Sequence, residues 1–412
     1  MAEVWRWWPI TVSETLQFAT DVRQARDGEW RDSLKDATQF LGLGHYLRHA
    51  QAEAMIEAVR KNATGQWLVP EWPNATVSAT TIAIAATVLP VAVESAYSVG
   101  QAVFIGTGPD NWEQGVVASL AAGSVTLVAG LSAGYIGTPG RPLIVAPLVL
   151  CLAPDGIEFQ TAFPSQALSV RFMSIEPVDL AANPYPTHAS IPLVTDGRVA
   201  MQALGGAMSQ SVDLLASGFG AFELQDVESY TRRRGTVSWY VKGQAARWAL
   251  RGFLHELRGR DGEFWLPTGQ NDLPLQAAVL SGALAISVLP VAQDADMIGR
   301  RIVIQEAGAV VIREVTAALT TGPTQSLEIA APGVAFTTAA IVSLAVKCRL
   351  DNDECELDYF FAAGAMAATC SLPVIEIVTS RTIFPRTGNA APIDATNPAN
   401  EIRLVAVGNT MR

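Results

Sequence analysis

The sequence predicts an α+β protein, mainly β, built as two tandem copies of one β-rich unit, each with one amphipathic helix and an inserted small β-domain. Three observations predict this. Landmarks recur in the same order in the two halves, and a stretch of helical periodicity recurs at the same place in each. The remaining apolar segments are short Val, Ile, Ala and Thr runs bounded by Gly, Pro and Asn, the pattern of strands between turns. At 412 residues the chain also exceeds what a single core ordinarily fills.

The first landmark is Gly65-Gln-Trp-Leu-Val-Pro70, answered by Gly262-Glu-Phe-Trp-Leu-Pro267. Its signature residues are Gly65, Trp67 and Pro70 in the first copy and Gly262, Phe264, Trp265 and Pro267 in the second. A glycine turn leads into an aromatic ring expected to pack under the preceding helix, with a proline ending the strand. Pro90, within a Val-Leu-Pro-Val run, is answered by Pro290 in the same run, and Gly100 before Val103 to Ile105 by Gly299 before Ile302 to Ile304. Cys151, Phe163 and Ile175 are answered by Cys348, Phe360 and Ile375.

These matches place copy one at 1–181 and copy two at 200–380, with a proline-rich linker at 182–199 and a C-terminal arm at 381–412. The helices are expected over 50–61, with Ala54, Met55, Ala58 and Val59 on one face, and over 245–258, with Trp248, Ala249, Phe253 and Leu257. The inserted β-domains are expected over 76–140 and 272–337, after which each unit resumes.

Half of the residues are hydrophobic and 16% are charged, so the chain has much apolar surface to bury and little with which to coat its outside. Subunits of a larger assembly have this balance. A formal net charge of -11 argues against a specific nucleic-acid surface, and the basic run Arg232, Arg233, Arg234 is too short for a phosphate track. The apolar stretch 76–93 alternates and carries Pro90, which suits strands, so no membrane span is expected. Residues 1–10 hold three tryptophans and do not form a signal peptide, which fits synthesis and retention in a cytoplasm until assembly.

No motif for catalysis, cofactor or metal binding occurs, and the expectation is of no enzyme activity, no cofactor and no metal. His45 and His49 lack the H-E-x-x-H context, and Asp351 to Glu354 reads as a polar hairpin turn because it lacks the glycine and distant glutamate of a calcium loop. The four cysteines match no zinc spacing and are expected to be buried free thiols. Carboxylates distant in sequence could still meet in space.

Residues Thr15 to Val22, the helix after them and Gly65 to Trp72, repeated as Ala246 to Arg260, Gly262 to Thr268 and Asp272-Leu273, resemble the distal tail and baseplate proteins at the tail tip of long-tailed bacteriophages. The resemblance implies a virion structural protein that forms a ring joining the tail tube protein to the baseplate hub and tail fibre proteins. Because tail tubes are six-fold and hubs three-fold, a duplicated chain implies a homo-oligomer, either a trimer with pseudo-sixfold symmetry or a hexamer. The competing expectation is a β-rich receptor-binding adhesin of the tail, in which Trp67, Trp72 and Trp265 would stack on sugars.

Overall fold

The computed structural model describes residues 2–25, 28–62, 65–162, 164–176, 183, 185–195, 206–209, 212–216, 222–226, 232–362 and 365–377. The protein is α+β and mainly β. Its first half runs β1 (Thr11–Ala25), β2 (Gly28–Arg48), α1 (His49–Lys61), β3 (Trp67–Pro70), an inserted group of strands, β4 (Leu143–Leu152), β5 (Ile157–Ala162) and β6 (Ser165–Ser174). Its second half runs β7 (Gly206–Ser209), β8 (Arg232–Lys242), α2 (Gln244–Leu257), β9 (Glu263–Pro267), a second inserted group, β10 (Ile341–Leu350), β11 (Glu354–Ala362) and β12 (Ala365–Glu376).

Eight of these strands form one antiparallel ladder in the order β5, β6, β2, β1, β11, β12, β8, β7. The two halves meet in its middle, where β1 lies on β11 with Val12 opposite Tyr359. Side chains alternate between faces: on β6, Leu168, Val170 and Phe172 are buried whereas Ala167, Ser169 and Arg171 face solvent. That alternation is what a sheet with one covered face requires. The covered face holds a core that runs without interruption across both halves, from Trp5, Leu16 and Trp67 to Trp239, Phe253 and Phe264.

Each helix packs on this face, but with a stripe that differs from the expected one. In α1 the buried residues are Ala52, Met55 and Val59, and Ala54 is exposed. In α2 they include Leu250, Phe253, Leu254 and Leu257, and also Arg247 and Arg251, while Trp248 and Ala249 are only half-buried. In α2 the expected stripe left out Arg247 and Arg251, because apolar spacing does not register charged side chains that find partners inside.

The inserted strands have cores of their own. Leu89, Val103, Ile105, Val125 and Tyr135 cluster in the first, and Val288, Ile302, Ile304, Leu327 and Phe336 in the second. β4 links insertion to main sheet: its Val145 faces Ile105 of the insertion, whereas its Cys151 faces Trp67. β10 carries the same pairs in the second half, Val342 with Ile304 and Cys348 with Phe264.

One landmark shifts by a residue. Leu89 is buried before Pro90, but before Pro290 it is Val288 that is buried and Leu289 that is 42% exposed. A one-residue slip exchanges the faces of a strand, so the matching Val-Leu-Pro-Val runs do not occupy matching pleats. Phe163 lies outside the described residues, and the ladder sets Phe159, not Phe163, in line with the second half's aromatic pair at 359 and 360.

Within the expected linker, Leu193 bridges to Trp265 in parallel and the Val194 amide donates to the Trp265 carbonyl. The chain's start does likewise, Val4 lying beside Leu68 and the Trp5 amide donating to Leu68. The end of the proline-rich stretch is thus packed into the second half. The arm 381–412 lies outside the described residues. Among the described residues no helix is long and apolar enough to cross a membrane.

Candidate functional site: the junction between the halves

The signature residues sit in corresponding ladders rather than at a surface. Trp67 is buried, edge-on to Trp5 at 5.4 Å and Phe172 at 6.4 Å, and Pro70 is buried opposite Leu148. Phe264 is buried edge-on to Phe253 of α2 at 5.7 Å, and Pro267 opposite Ala345. Gly262 donates to the Leu257 carbonyl, and a Cβ there would come within 2.5 Å of the Leu257 Cα, so only glycine lets the chain turn this tightly under the helix. Gly65 donates to the Asn62 carbonyl, three residues back rather than five.

Trp265 differs. It is half-buried, donates from Nε1 to the His188 carbonyl and lies 5.7 Å from the Arg301 guanidinium. Trp72 is buried like Trp67, so neither offers a face to a sugar.

The chemistry that sequence reading missed lies where α2 crosses the first half. Arg251 is fully buried and forks onto Glu14, with Nε to Oε2 at 2.8 Å and an Nη to Oε1 at 2.6 Å. The same nitrogen reaches Glu71 at 2.7 Å, and the other Nη donates to Asn74. Gln39 donates to both carboxylates, Asn74 to Glu71, and the Tyr359 hydroxyl to Glu14 at 2.7 Å. One turn back, Arg247 donates to the carbonyls of Pro73, Ala75 and Met366, and Gln244 to that of Asn74. Two carboxylates thus meet the Arg251 guanidinium, with Arg247 anchored on backbone carbonyls beside them and the hydrogen-bonding groups occupied, the condition under which buried charge is tolerated.

Burial works against the charge on Arg251, but the Glu14 and Glu71 carboxylates outweigh it and hold the group above its ordinary value. Burial pulls Arg247 down to about 10, with Tyr359 opposing this and Arg251 adding to it, so it keeps its proton at neutral pH. Burial, then the neighbouring Glu14, pushes the Tyr359 hydroxyl well above its usual range, which keeps it a donor. Arg247 and Arg251 share a helical face with Leu250 and Leu254; charges on an apolar stripe were the one signal that acids must face it.

A second contact closes the junction at its rim. Asp353, in the turn between β10 and β11, binds Arg260 at 2.9 Å and accepts the Thr20 amide, and Arg31 pairs with Glu263. The run 351–354 is therefore a polar turn used as a clasp. On the solvent face of the same junction Ser13, Thr15, Phe40, Arg171, Glu354 and Glu356 line a shallow groove.

The remaining candidates fall elsewhere. His45 lies on β2, not on a helix with His49, and contacts the Trp8 carbonyl through Nδ1 at 3.0 Å. The four cysteines are free and buried, and burial pushes Cys348 and Cys355 up to about 12. Among the described residues no three His, Cys, Asp or Glu side chains are grouped as metal ligands.

No protein-family profile matches this sequence, and no curated protein is significantly similar to it. The junction holds Glu14 and Glu71 away from solvent with their oxygens engaged, an arrangement that can fix the two halves together.

Proposed function

We propose that this chain is a structural subunit of the tail tip of a long-tailed bacteriophage, a duplicated module whose copies form a ring between the tail tube and the baseplate hub and fibres. The observation that carries the reading is the eight-strand ladder, in which one four-strand order occurs twice in succession, β5, β6, β2, β1 and then β11, β12, β8, β7. Matching side-chain pairs support duplication: Cys151 with Trp67 and Val145 with Ile105 in one half, Cys348 with Phe264 and Val342 with Ile304 in the other.

A chain with two similar modules presents six near-equivalent units when three copies associate, so a pseudo-sixfold trimer can join six-fold and three-fold neighbours. The adhesin reading is weakened by the burial of Trp67 and Trp72, which removes two of its three stacking rings. Electron microscopy of the purified protein, reconstructed without imposed symmetry, tests the proposal. Three chains in a closed ring of six similar lobes is the expected result. Six chains with every first half equivalent would replace the trimer by a hexamer, and a fibrous rod that binds host glycan would favour the adhesin.

A further inference from the structure

The internal junction of the ladder has two sides, β11 of the second half and β1 of the first. The repeated strand order gives each chain a copy of both sides at its outer edges. β5 occupies in the first half the place that β11 has in the second, and β7 occupies the place of β1. Among the described residues β5 pairs only with β6, and β7 only with β8. An unpaired strand edge presents a row of amides and carbonyls open to another strand.

We propose that β5 of one copy of this chain adds to β7 of a second copy, head to tail, repeating between chains the contact that β11 makes with β1 within one. The proposal rests on the ring reading above and names its interface. The ladder positions identify the residue that anchors it. Ile157 and Phe159 of β5 face Val170 and Leu168, as Leu357 and Tyr359 of β11 face Cys370 and Ala368. Tyr359 is 3% exposed at the internal junction, whereas Phe159, at the same position, is 56% exposed. A large ring left bare at the one place where its counterpart is covered points to a missing neighbour.

The two contacts differ in chemistry. The buried residues Ala52, Met55 and Val59 of α1 have the spacing of Leu250, Phe253 and Leu257 of α2, which sets His49 and Glu53 where α2 has Arg247 and Arg251. His49 and Glu53 are solvent-exposed, and Phe159 has no hydroxyl to offer a carboxylate. The contact within the chain is locked by buried guanidiniums, and the contact between chains rests on strand pairing and an apolar anchor, which suits subunits that assemble after folding. Because the two edges are different surfaces, the contact is heterologous and produces a ring when its rotation closes.

Sedimentation velocity and amide hydrogen exchange on wild type, Phe159→Asp and Phe159→Tyr test this. Wild type and Phe159→Tyr are expected to assemble, and Phe159→Asp to sediment as a monomer with native circular dichroism. The alternate amides of 157–162 and 206–209 that do not donate to β6 and β8 are expected to be protected in the wild-type assembly and to exchange freely in the monomer. If Phe159→Asp assembles as wild type does, or those amides exchange freely within the wild-type assembly, these edges are wrong while the ring stands. A wild-type chain that is monomeric at every concentration overturns both. Should Phe159→Asp misfold, the exchange of the two edges in the wild-type assembly decides alone.

Discussion

Arg251 reaches from α2 into the first half, and its removal separates two effects that are easily confused. A buried ion pair adds little stability relative to a well-packed apolar substitute, but breaking one leaves its partner charged and dry. Arg251→Ala strands Glu14 and Glu71 together and is expected to cost roughly 3–5 kcal/mol in urea denaturation. Tyr359→Phe removes one donor from Glu14 and leaves the guanidinium fork, so a loss of about 1–2 kcal/mol is expected. Equal losses for the two variants would show that the cluster does not depend on its charge. His45 gives the pH dependence. Burial lowers it to about 4, with its contact to the Trp8 carbonyl opposing the shift. The unfolded chain takes up this proton near 6.5 and the folded chain only near 4, so unfolding binds a proton between those values. Stability from this group is complete above pH 6.5 and falls as pH drops toward 4, by roughly 3 kcal/mol in all. Comparing denaturation midpoints at pH 8 and pH 5, His45→Gln should show a smaller drop than wild type.

At the scale of elements, the unit that organises each half is helix, tight turn and short strand. The turn after α2 brings Gly262 against the backbone of Leu257, and the strand then carries Phe264 back beneath the helix, against Phe253. Phe264→Ala is expected to cost roughly 3–5 kcal/mol, the range for a large aromatic truncated in a packed core. Gly262→Ala changes far fewer atoms, yet its Cβ meets fixed backbone rather than a movable side chain, so a measurable loss is expected. Thermal unfolding of both variants checks this pair, and a Gly262→Ala protein as stable as wild type would mean that the turn relaxes freely.

Over the whole molecule, the core beneath the ladder contains residues from both halves, whereas each insertion closes a core of its own. The halves should therefore unfold together. A chain divided after residue 195 would leave Glu14 and Glu71 without Arg251 and β1 without β11, so neither fragment is expected to fold alone. Mixed or co-expressed, the two should recover native circular dichroism. A first fragment that folds independently would show that the junction joins finished domains rather than completing them.

The helix, turn and short strand of each half were legible in the sequence because they are carried by local chemistry. A glycine that must turn, an aromatic that must be covered, a proline that ends a strand and a stripe of apolar helix residues are each set by neighbours close along the chain. The helices at His49–Lys61 and Gln244–Leu257 and the strands at Trp67–Pro70 and Glu263–Pro267 lie within a residue or two of where that pattern put them. The pairing of Arg251 with Glu14 and Glu71 has no local trace in the sequence, since the partners that make their burial tolerable come from β1, the turn after β3, α2 and β11. The pleat at Leu289 escaped for a related reason: a matching run of residues fixes composition, and only the paired strand fixes which face looks inward. Tertiary structure alone decided that the two units share one sheet, because β1 and β11 are joined by hydrogen bonds between residues more than three hundred positions apart in the chain, a pairing with no local trace.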